Sequence, residues 1–106
     1  MKKDLRISEL CDVYGRLLTE RQLEILNSYY DYDLSLAEIS ENFGVTRQAV
    51  HDAIAKASEQ LNFYENALGV YAMRERIATL AEAISEANEC GDKDRVASLV
   101  GELRTL

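Results

Sequence analysis

No proline occurs in this sequence of 106 residues, and that absence constrains the fold more than any other feature. Proline ends or kinks a helix because it lacks the backbone N–H and clashes with the preceding turn. Without proline, long helices run uninterrupted, and the hydrophobic fraction of 47% lies in the ordinary range for globular proteins. We therefore expect an all-α protein.

Hydroxyl side chains mark the starts of three successive helices, because each can accept a hydrogen bond from an N–H group of the first turn. Two of them also have a Glu or Gln three residues later, which is the spacing of a capping box. The starts are Thr19 with Gln22, Ser35 with Glu38, and Thr46. Apolar residues at helical spacing predict an earlier helix of roughly residues 5 to 18. Four short helices are therefore expected before residue 62.

The C-terminal part follows a different pattern, since its apolar residues fall at alternating steps of three and four from Phe63 to about Glu89. This is a heptad repeat and predicts one long helix, in which Gly69 is a candidate position for a bend. Gly91 and Asp92 then mark its end and the start of a last helix, which folds back as an αα-hairpin. We expect a helix-turn-helix domain over residues 1–62 and a dimerisation or interaction arm over residues 63–106.

The heptad seam favours a homodimer, because a helix pair of this kind needs a partner for its apolar stripe. The seam consists of Val70, Met73, Ile77, Leu80 and Ile84. Packing of this stripe onto the last helix of the same chain is the alternative. Sequence spacing alone leaves both arrangements open.

The segment "FGVTRQAVHDAIAKA" meets the requirements of a helix-turn-helix. Ser40 is the small residue at the helix crossing, and Gly44 tolerates the positive φ of the turn. Ile39, Val45 and Val50 are the apolar residues that fix the crossing angle. The segment therefore predicts a recognition helix beginning near Thr46.

Helical spacing turns one side of this helix outward and gives six candidate nucleic-acid-binding residues: Thr46, Arg47, Gln48, His51, Asp52 and Lys56. Arg47 suits guanine and Gln48 suits adenine, whereas Thr46 and Lys56 suit the backbone. Asp52 accepts from cytosine but repels phosphate. An ordinary solvated helix face has a similar composition and remains the alternative interpretation.

Charge and composition exclude several functions. The net charge is −7, and residues 19–62 contain eight acidic and only three basic side chains. This balance argues against strong binding to DNA that is independent of the DNA sequence.

No stretch approaches the roughly 18 apolar residues of a membrane span, so we expect a cytoplasmic protein. Two cysteines and one histidine do not make a metal site or disulfide framework. No catalytic pair or phosphate loop is visible, so we expect neither an enzyme nor a cofactor.

The stretch "YYDYDLSLAEISENFGVTRQAVHDAIAKASEQL" resembles region 4 of sigma-70-type transcription factors, and more closely the YlxM-like family of small helix-turn-helix proteins. "LTERQLEIL", "SLAEIS" and "TRQAVHDAI" carry the resemblance, which covers roughly residues 5 to 90. It implies a sigma-region-4-like helix-turn-helix domain followed by long helices that can dimerise. The implied recognition helix is Thr46 to Leu61, with Arg47, Gln48 and His51 at the contact positions.

The resemblance also implies a function, a DNA-binding regulator connected by gene neighbourhood with the signal recognition particle protein and its receptor. This chain has Ala55 before Lys56 where the family has a basic pair, and Glu59 further on. Fewer cations favour an alternative function, an accessory factor that binds the protein or RNA of the particle without binding DNA.

Overall fold

The computed structural model describes residues 3–106 as six α-helices and one 3₁₀ turn, and no β-strand occurs among these residues. Met1 and Lys2, which the sequence analysis includes in the first domain, lie outside the described residues. The helices are α1 (Leu5–Tyr14), α2 (Glu20–Tyr30), α3 (Leu36–Phe43), α4 (Arg47–Leu68), α5 (Val70–Glu89) and α6 (Lys93–Arg104). The all-α prediction is confirmed.

Both predicted capping boxes are present. The backbone N–H of Gln22 donates to Thr19 Oγ1 at 3.1 Å, while the Thr19 N–H donates to Gln22 Oε1 at 3.0 Å. Ser35 and Glu38 make the same reciprocal pair at 3.1 Å in each direction. These bonds satisfy N–H groups that have no partner inside the helix. They fix the first residues of α2 and α3.

The chain divides into two compact units, and the first ends at Leu68. In this unit α1, α2 and α3 all pack against α4. Its largest fully buried side chains come from all four helices: Leu10, Leu26, Ile39, Val50 and Leu61. Glu65, near the end of α4, is also buried, and its Oε1 accepts a hydrogen bond from the Tyr14 hydroxyl. Helix α4 is therefore the central element of the first unit.

Two helix boundaries differ from the sequence-based expectation. The first helix ends at Tyr14 instead of continuing to residue 18, and a 3₁₀ turn follows over Gly15–Leu17. Gly15 is buried here, and a Cβ on it would lie 3.1 Å from Leu23 Cδ1. This close approach between chain segments depends on the tertiary packing, so the apolar pattern of the first helix does not reveal it.

The predicted continuous helix from Phe63 to Glu89 is wrong, because Gly69 interrupts it. Gly69 has φ 64° and ψ 23°, in the left-handed region, which a right-handed helix cannot contain. Helix α4 continues without a break past Leu61, the expected end of the recognition helix, and ends at Leu68, directly before Gly69. The boundary between the compact units lies at Gly69, whereas the sequence analysis put it after residue 62.

The second unit, Gly69–Leu106, is a hairpin in which α5 packs on α6. Gly91 has φ 72° in the connection, and Asp92 Oδ1 accepts from the Arg95 N–H at 3.0 Å, so the predicted stop and cap are confirmed. Only Leu80 and Ala87 of the described side chains in this unit are buried. Met73 and Ile77 are 41% and 43% exposed. The hairpin therefore leaves part of the heptad seam at the surface.

The N-terminal segment is joined to the connection between α2 and α3 by Lys3. Its ammonium donates to the Tyr29 carbonyl at 2.7 Å, pairs with the Asp33 carboxylate and lies 4.5 Å from the centre of the Tyr29 ring. The hydrogen bond from Lys3, aided by its positive charge, holds the pKa of Asp33 below its ordinary value. Asp33 itself has φ 53°, a region that Asp and Asn enter more readily than most residues.

Within residues 3–106, no helix combines the length and the apolar character that crossing a membrane requires. No group of three or more His, Cys, Asp or Glu side chains in the same part of the chain could hold a metal ion. Cys11 is half-buried and Cys90 is exposed, and both are free thiols. Burial, together with the negative charges of Asp12 and Asp31, raises the pKa of the Cys11 thiol.

A substitution at Gly44 tests the turn between α3 and α4. Gly44 has φ 66°, and beyond Gly44 itself and its two chain neighbours nothing lies within 4 Å of the position that a Cβ would occupy. The cost of Gly44→Ala is therefore conformational, and we expect the free energy of unfolding to fall by about 1–2 kcal/mol. Gly44→Asn should cost less, since Asn tolerates the left-handed region. Urea denaturation measures both values.

Gly101 offers a matched control, because it also has open space around it but lies inside α6. Gly101→Ala should stabilise its helix by about 0.5–1 kcal/mol, the opposite sign. An equal loss of stability for Gly44→Ala and Gly44→Asn would contradict the conformational explanation.

Replacing Lys3 tests the cause of the lowered pKa of Asp33. Lys3→Gln removes the positive charge, so we expect that pKa to rise towards its ordinary value, as measured by NMR titration of the carboxyl group. Because the pKa is lowered in the folded protein, the contact stabilises the fold above pH about 4. This stabilisation is lost as the pH falls through the folded-state pKa.

Asp31→Asn is the control for this titration, because it removes a neighbouring carboxylate but leaves the Lys3 contact in place. The pKa of Asp33 should stay low in that variant. An unchanged pKa in Lys3→Gln would show that the ion pair does not form in solution.

Candidate nucleic-acid interface

The turn between α3 and α4 has the hydrogen bonds of a tight helix end. The Gly44 N–H donates to the Glu41 carbonyl at 3.4 Å, and the Val45 N–H donates to the Ser40 carbonyl at 3.0 Å. Bonds of this kind satisfy carbonyls that the helix leaves without partners. Gly44 supplies the left-handed conformation that the turn needs, as the sequence analysis predicts.

Helix α4 begins immediately after this turn and is capped as predicted. Thr46 Oγ1 accepts a hydrogen bond from the Ala49 N–H at 3.0 Å. The chain therefore passes from α3 to α4 through three residues, a connection typical of helix-turn-helix proteins. Ser40 is half-buried at the crossing, and its hydroxyl donates to the Ala37 carbonyl at 2.7 Å.

One side of α4 is buried along the whole recognition segment. Its inward residues recur at steps of three and four: Val50, Ile54, Ala57 and Leu61. Each is at most 4% exposed, and Ala53 beside them is half-buried. Because this stripe is fixed against α1, α2 and α3, the opposite side of α4 has one defined orientation within the first unit.

All six predicted nucleic-acid-binding residues are exposed: Thr46, Arg47, Gln48, His51, Asp52 and Lys56. Gln48, His51, Asp52 and Lys56 lie away from the buried stripe, whereas Thr46 and Arg47 are exposed because they stand at the start of the helix, one turn before Val50. We call this set the reading face. It spans ten residues of helix, or about 15 Å, which is short enough to enter one major groove. The structure thus brings the predicted residues together on one surface, although their contacts with DNA stay a prediction.

Three side chains of the reading face are close to each other. Gln48 Nε2 donates to Asp52 Oδ1 at 2.9 Å, across one turn of the helix. His51 Nδ1 lies 3.6 Å from the same oxygen, which is too long for a hydrogen bond. Of these two neighbours, only Gln48 forms a hydrogen bond with Asp52. The Asp52 side chain is still 68% exposed.

The electrostatic balance of this surface is close to neutral. Arg47 and Lys56 are its cations, whereas Asp52 and the nearby exposed Glu59 are anions. Helices that bind DNA mainly through contacts with its phosphates carry an excess of Lys and Arg. The reading face is thus suited to a few directed contacts and poorly suited to binding that ignores sequence.

Arg21 is a basic residue that the sequence analysis did not select. It belongs to α2, but its guanidinium lies 5.3 Å from the centre of the Phe43 ring at the end of α3. This stacking brings an exposed cation close to the turn that precedes the reading face. No sequence spacing could have indicated it, because the two residues meet only through the packing of α2 on α3.

A cleft of about 260 Å³ borders the reading face on the side of α1 and is lined by Asp4, Ile7, Tyr30, His51, Ile54, Ala55, Ser58 and Asn62. Burial raises the pKa of the Tyr30 phenol, and the nearby Tyr29 and Asp4 act in the same direction. Tyr30 is half-buried, and its ring meets that of Tyr29 edge-on with 5.1 Å between the ring centres, so it contributes to the packing of α2.

The fold and the exposed recognition helix define a helix-turn-helix protein. Residues 1–99 match the family described as "UPF0122: Putative helix-turn-helix protein, YlxM / p13 like". The chain therefore belongs to the UPF0122 family, and the resemblance to YlxM-like proteins found in the sequence is confirmed.

Individual relatives agree with this assignment. A UPF0122 protein of Symbiobacterium thermophilum is 42% identical over 104 residues, covering 98% of this chain and 97% of the relative. One from Clostridium botulinum is 42% identical over 98 residues, covering 89% and 90% respectively. One from Halalkalibacterium halodurans is 36% identical over 107 residues, covering 100% and 98%. The similarity thus includes both compact units.

Proposed function

We propose that this protein is a DNA-binding regulator that works in the cytoplasm without enzymatic chemistry. The observation that carries the proposal is the position of Arg47 and Gln48, exposed in the first turn of a helix whose other side is buried. Residues at the start of a recognition helix meet base edges in the major groove. Arg47 would contact guanine and Gln48 adenine.

The remaining reading-face residues would position the helix on the duplex. The Thr46 hydroxyl and the Lys56 ammonium are exposed at the two ends of the face, where they can reach phosphate oxygens. Arg21 adds a third backbone contact on the side of the turn. The positive end of the α4 dipole favours a phosphate at the same place as Thr46.

We propose further that the protein acts as a homodimer joined through the heptad seam of α5. Leu80 is buried and Ile84 half-buried in the hairpin, so the intramolecular packing considered above accounts for those two residues. Met73 and Ile77 remain more than 40% exposed on the same seam. A second copy of α5 would cover them, and a dimer would offer two reading faces to two half-sites.

A second candidate function follows from charge. Residues 19–62 carry eight acidic and three basic side chains, and such a surface attracts a basic partner more readily than DNA. On this alternative the protein is an accessory factor of the signal recognition particle and binds its protein or its RNA-bound form. Retention of the purified particle protein at low salt, without DNA binding, would favour this function over the first.

Fluorescence anisotropy with duplex DNA from the protein's own operon tests the regulator. We expect Arg47→Ala and Gln48→Ala each to weaken binding by about 5- to 150-fold, since a good base contact is worth about 1–3 kcal/mol. The two cations assigned to phosphates, Lys56 and Arg21, predict a slope of about −1.8 for log K against log salt per protomer. Raising the salt from about 50 to 200 mM should then weaken binding by about tenfold per protomer.

Arg95→Ala is the matched control, because it removes an exposed arginine from α6. Its binding should equal that of the unchanged protein, and urea denaturation should show that all variants are folded. Equal binding by Arg47→Ala, Gln48→Ala and Arg95→Ala would refute the proposed reading face.

Ile77→Asp tests the dimer. Ile77 is largely exposed in the single chain, so a charge there should leave the fold intact, but it would be buried without a partner in the proposed seam. We expect a monomer by light scattering. Ser85→Asp, the same new carboxylate at an exposed polar position of α5, should remain dimeric. A monomeric unchanged protein would overturn the proposal.

A further inference from the structure

The hydrogen bond between Gln48 and Asp52 has a consequence for the bases that the reading face can accept. An ionised carboxylate only accepts hydrogen bonds, so the atom of the Gln48 amide that faces Asp52 must be the nitrogen. The observed bond, from Gln48 Nε2 to Asp52 Oδ1 at 2.9 Å, agrees with this requirement. The other end of the amide, Oε1, is an acceptor.

An unrestrained glutamine behaves differently. Its amide can rotate by 180°, so it offers either a donor or an acceptor to a base and can adapt to more than one base pair. Asp52 disfavours one of the two orientations, because it would bring the amide oxygen against a carboxylate oxygen. Asp52 thus orients Gln48 from one turn further along the helix.

Asp52 also contributes an acceptor of its own. Its side chain is 68% exposed, and the bond from Gln48 uses only one of its two oxygens. His51 Nδ1, at 3.6 Å, is too distant to form a hydrogen bond with that oxygen. The part of the reading face formed by Gln48 and Asp52 therefore presents two acceptors, Gln48 Oε1 and Asp52 Oδ2.

In the major groove, only two groups of the four bases can donate to such acceptors. They are the exocyclic amino groups N6 of adenine and N4 of cytosine, whereas guanine presents N7 and O6 and thymine presents O4, all of which accept. Resting on the proposed DNA binding, we propose that Asp52 determines specificity by selecting adenine or cytosine, and excluding guanine and thymine, on the strand that faces Gln48 and Asp52.

Exclusion is as important as attraction in this arrangement. A guanine or thymine at the same place would set its acceptors against a carboxylate that loses its water in the groove, and two acceptors that face each other form no hydrogen bond. The same carboxylate repels phosphate in a misplaced duplex. Asp52 thus weakens binding to wrong sequences as well as orienting the contact to the right one.

The test selects binding sites from a random pool of duplex DNA, using the unchanged protein and Asp52→Asn. Asparagine has nearly the same shape but carries no charge and offers both a donor and an acceptor. We expect the unchanged protein to enrich a site with adenine or cytosine at the positions that face Gln48 and Asp52. Asp52→Asn should accept guanine and thymine there and lose about tenfold or more of its preference.

Glu59→Gln is the matched control, since it changes an exposed carboxylate to an amide two turns further along α4. It should enrich the same site as the unchanged protein. A second measurement removes single amino groups from the enriched DNA by replacing adenine with purine or cytosine with pyrimidin-2-one. This change should weaken binding of the unchanged protein but have little effect on Asp52→Asn.

The outcomes separate this inference from the function on which it rests. If the unchanged protein and Asp52→Asn enrich one site with equal preference, DNA binding stands and the role of Asp52 is refuted. If no variant enriches any sequence, while all of them remain folded, the proposed DNA binding fails and the inference fails with it. Loss of base preference in Asp52→Asn alone supports both.

Discussion

The burial of one stripe of α4 is the interaction on which the rest of the first unit depends. Val50, Ile54, Ala57 and Leu61 are all at most 4% exposed, and helices α1, α2 and α3 each contact α4. Fully burying a Val, Leu or Ile side chain contributes about 1.5–3 kcal/mol, so the stripe ranks among the main sources of stability in a unit of this size. The same residues that stabilise the fold therefore fix the direction of the reading face.

Features determined by neighbours in the sequence were predictable. The capping boxes of α2 and α3, the glycine of the turn and the outward position of Gln48 follow from local hydrogen bonding and helical spacing. The features that the sequence did not reveal depend on tertiary packing. Gly15 lies against Leu23, and Arg21 stacks on Phe43, although nothing in the spacing of either pair indicates a contact.

The helix break at Gly69 is a feature that apolar spacing predicted incorrectly. The apolar steps of three and four begin at Val70, and the prediction of one helix from Phe63 to Glu89 assumes that the chain stays helical through Gly69. A pattern of side chains carries no information about φ, however, and a glycine can satisfy the pattern while its backbone is left-handed. The Gln48–Asp52 contact, by contrast, could have been found from its spacing of four residues on a helix.

The small number of cations on the reading face affects how specificity would arise. Phosphate contacts stabilise every sequence equally, so a protein with many of them binds tightly but discriminates through a small fraction of its total binding free energy. With Arg47 and Lys56 opposed by Asp52 and Glu59, sequence-independent binding is weak, and base contacts account for a larger share. One reading face alone would bind DNA with low affinity. In the proposed dimer, the second face binds as an intramolecular event at a high effective concentration, so two weak and selective half-sites combine into one strong site. Weak phosphate contacts and dimerisation through α5 are thus complementary parts of the proposed function, because a DNA-binding protein of this charge would need a second copy to bind its site tightly.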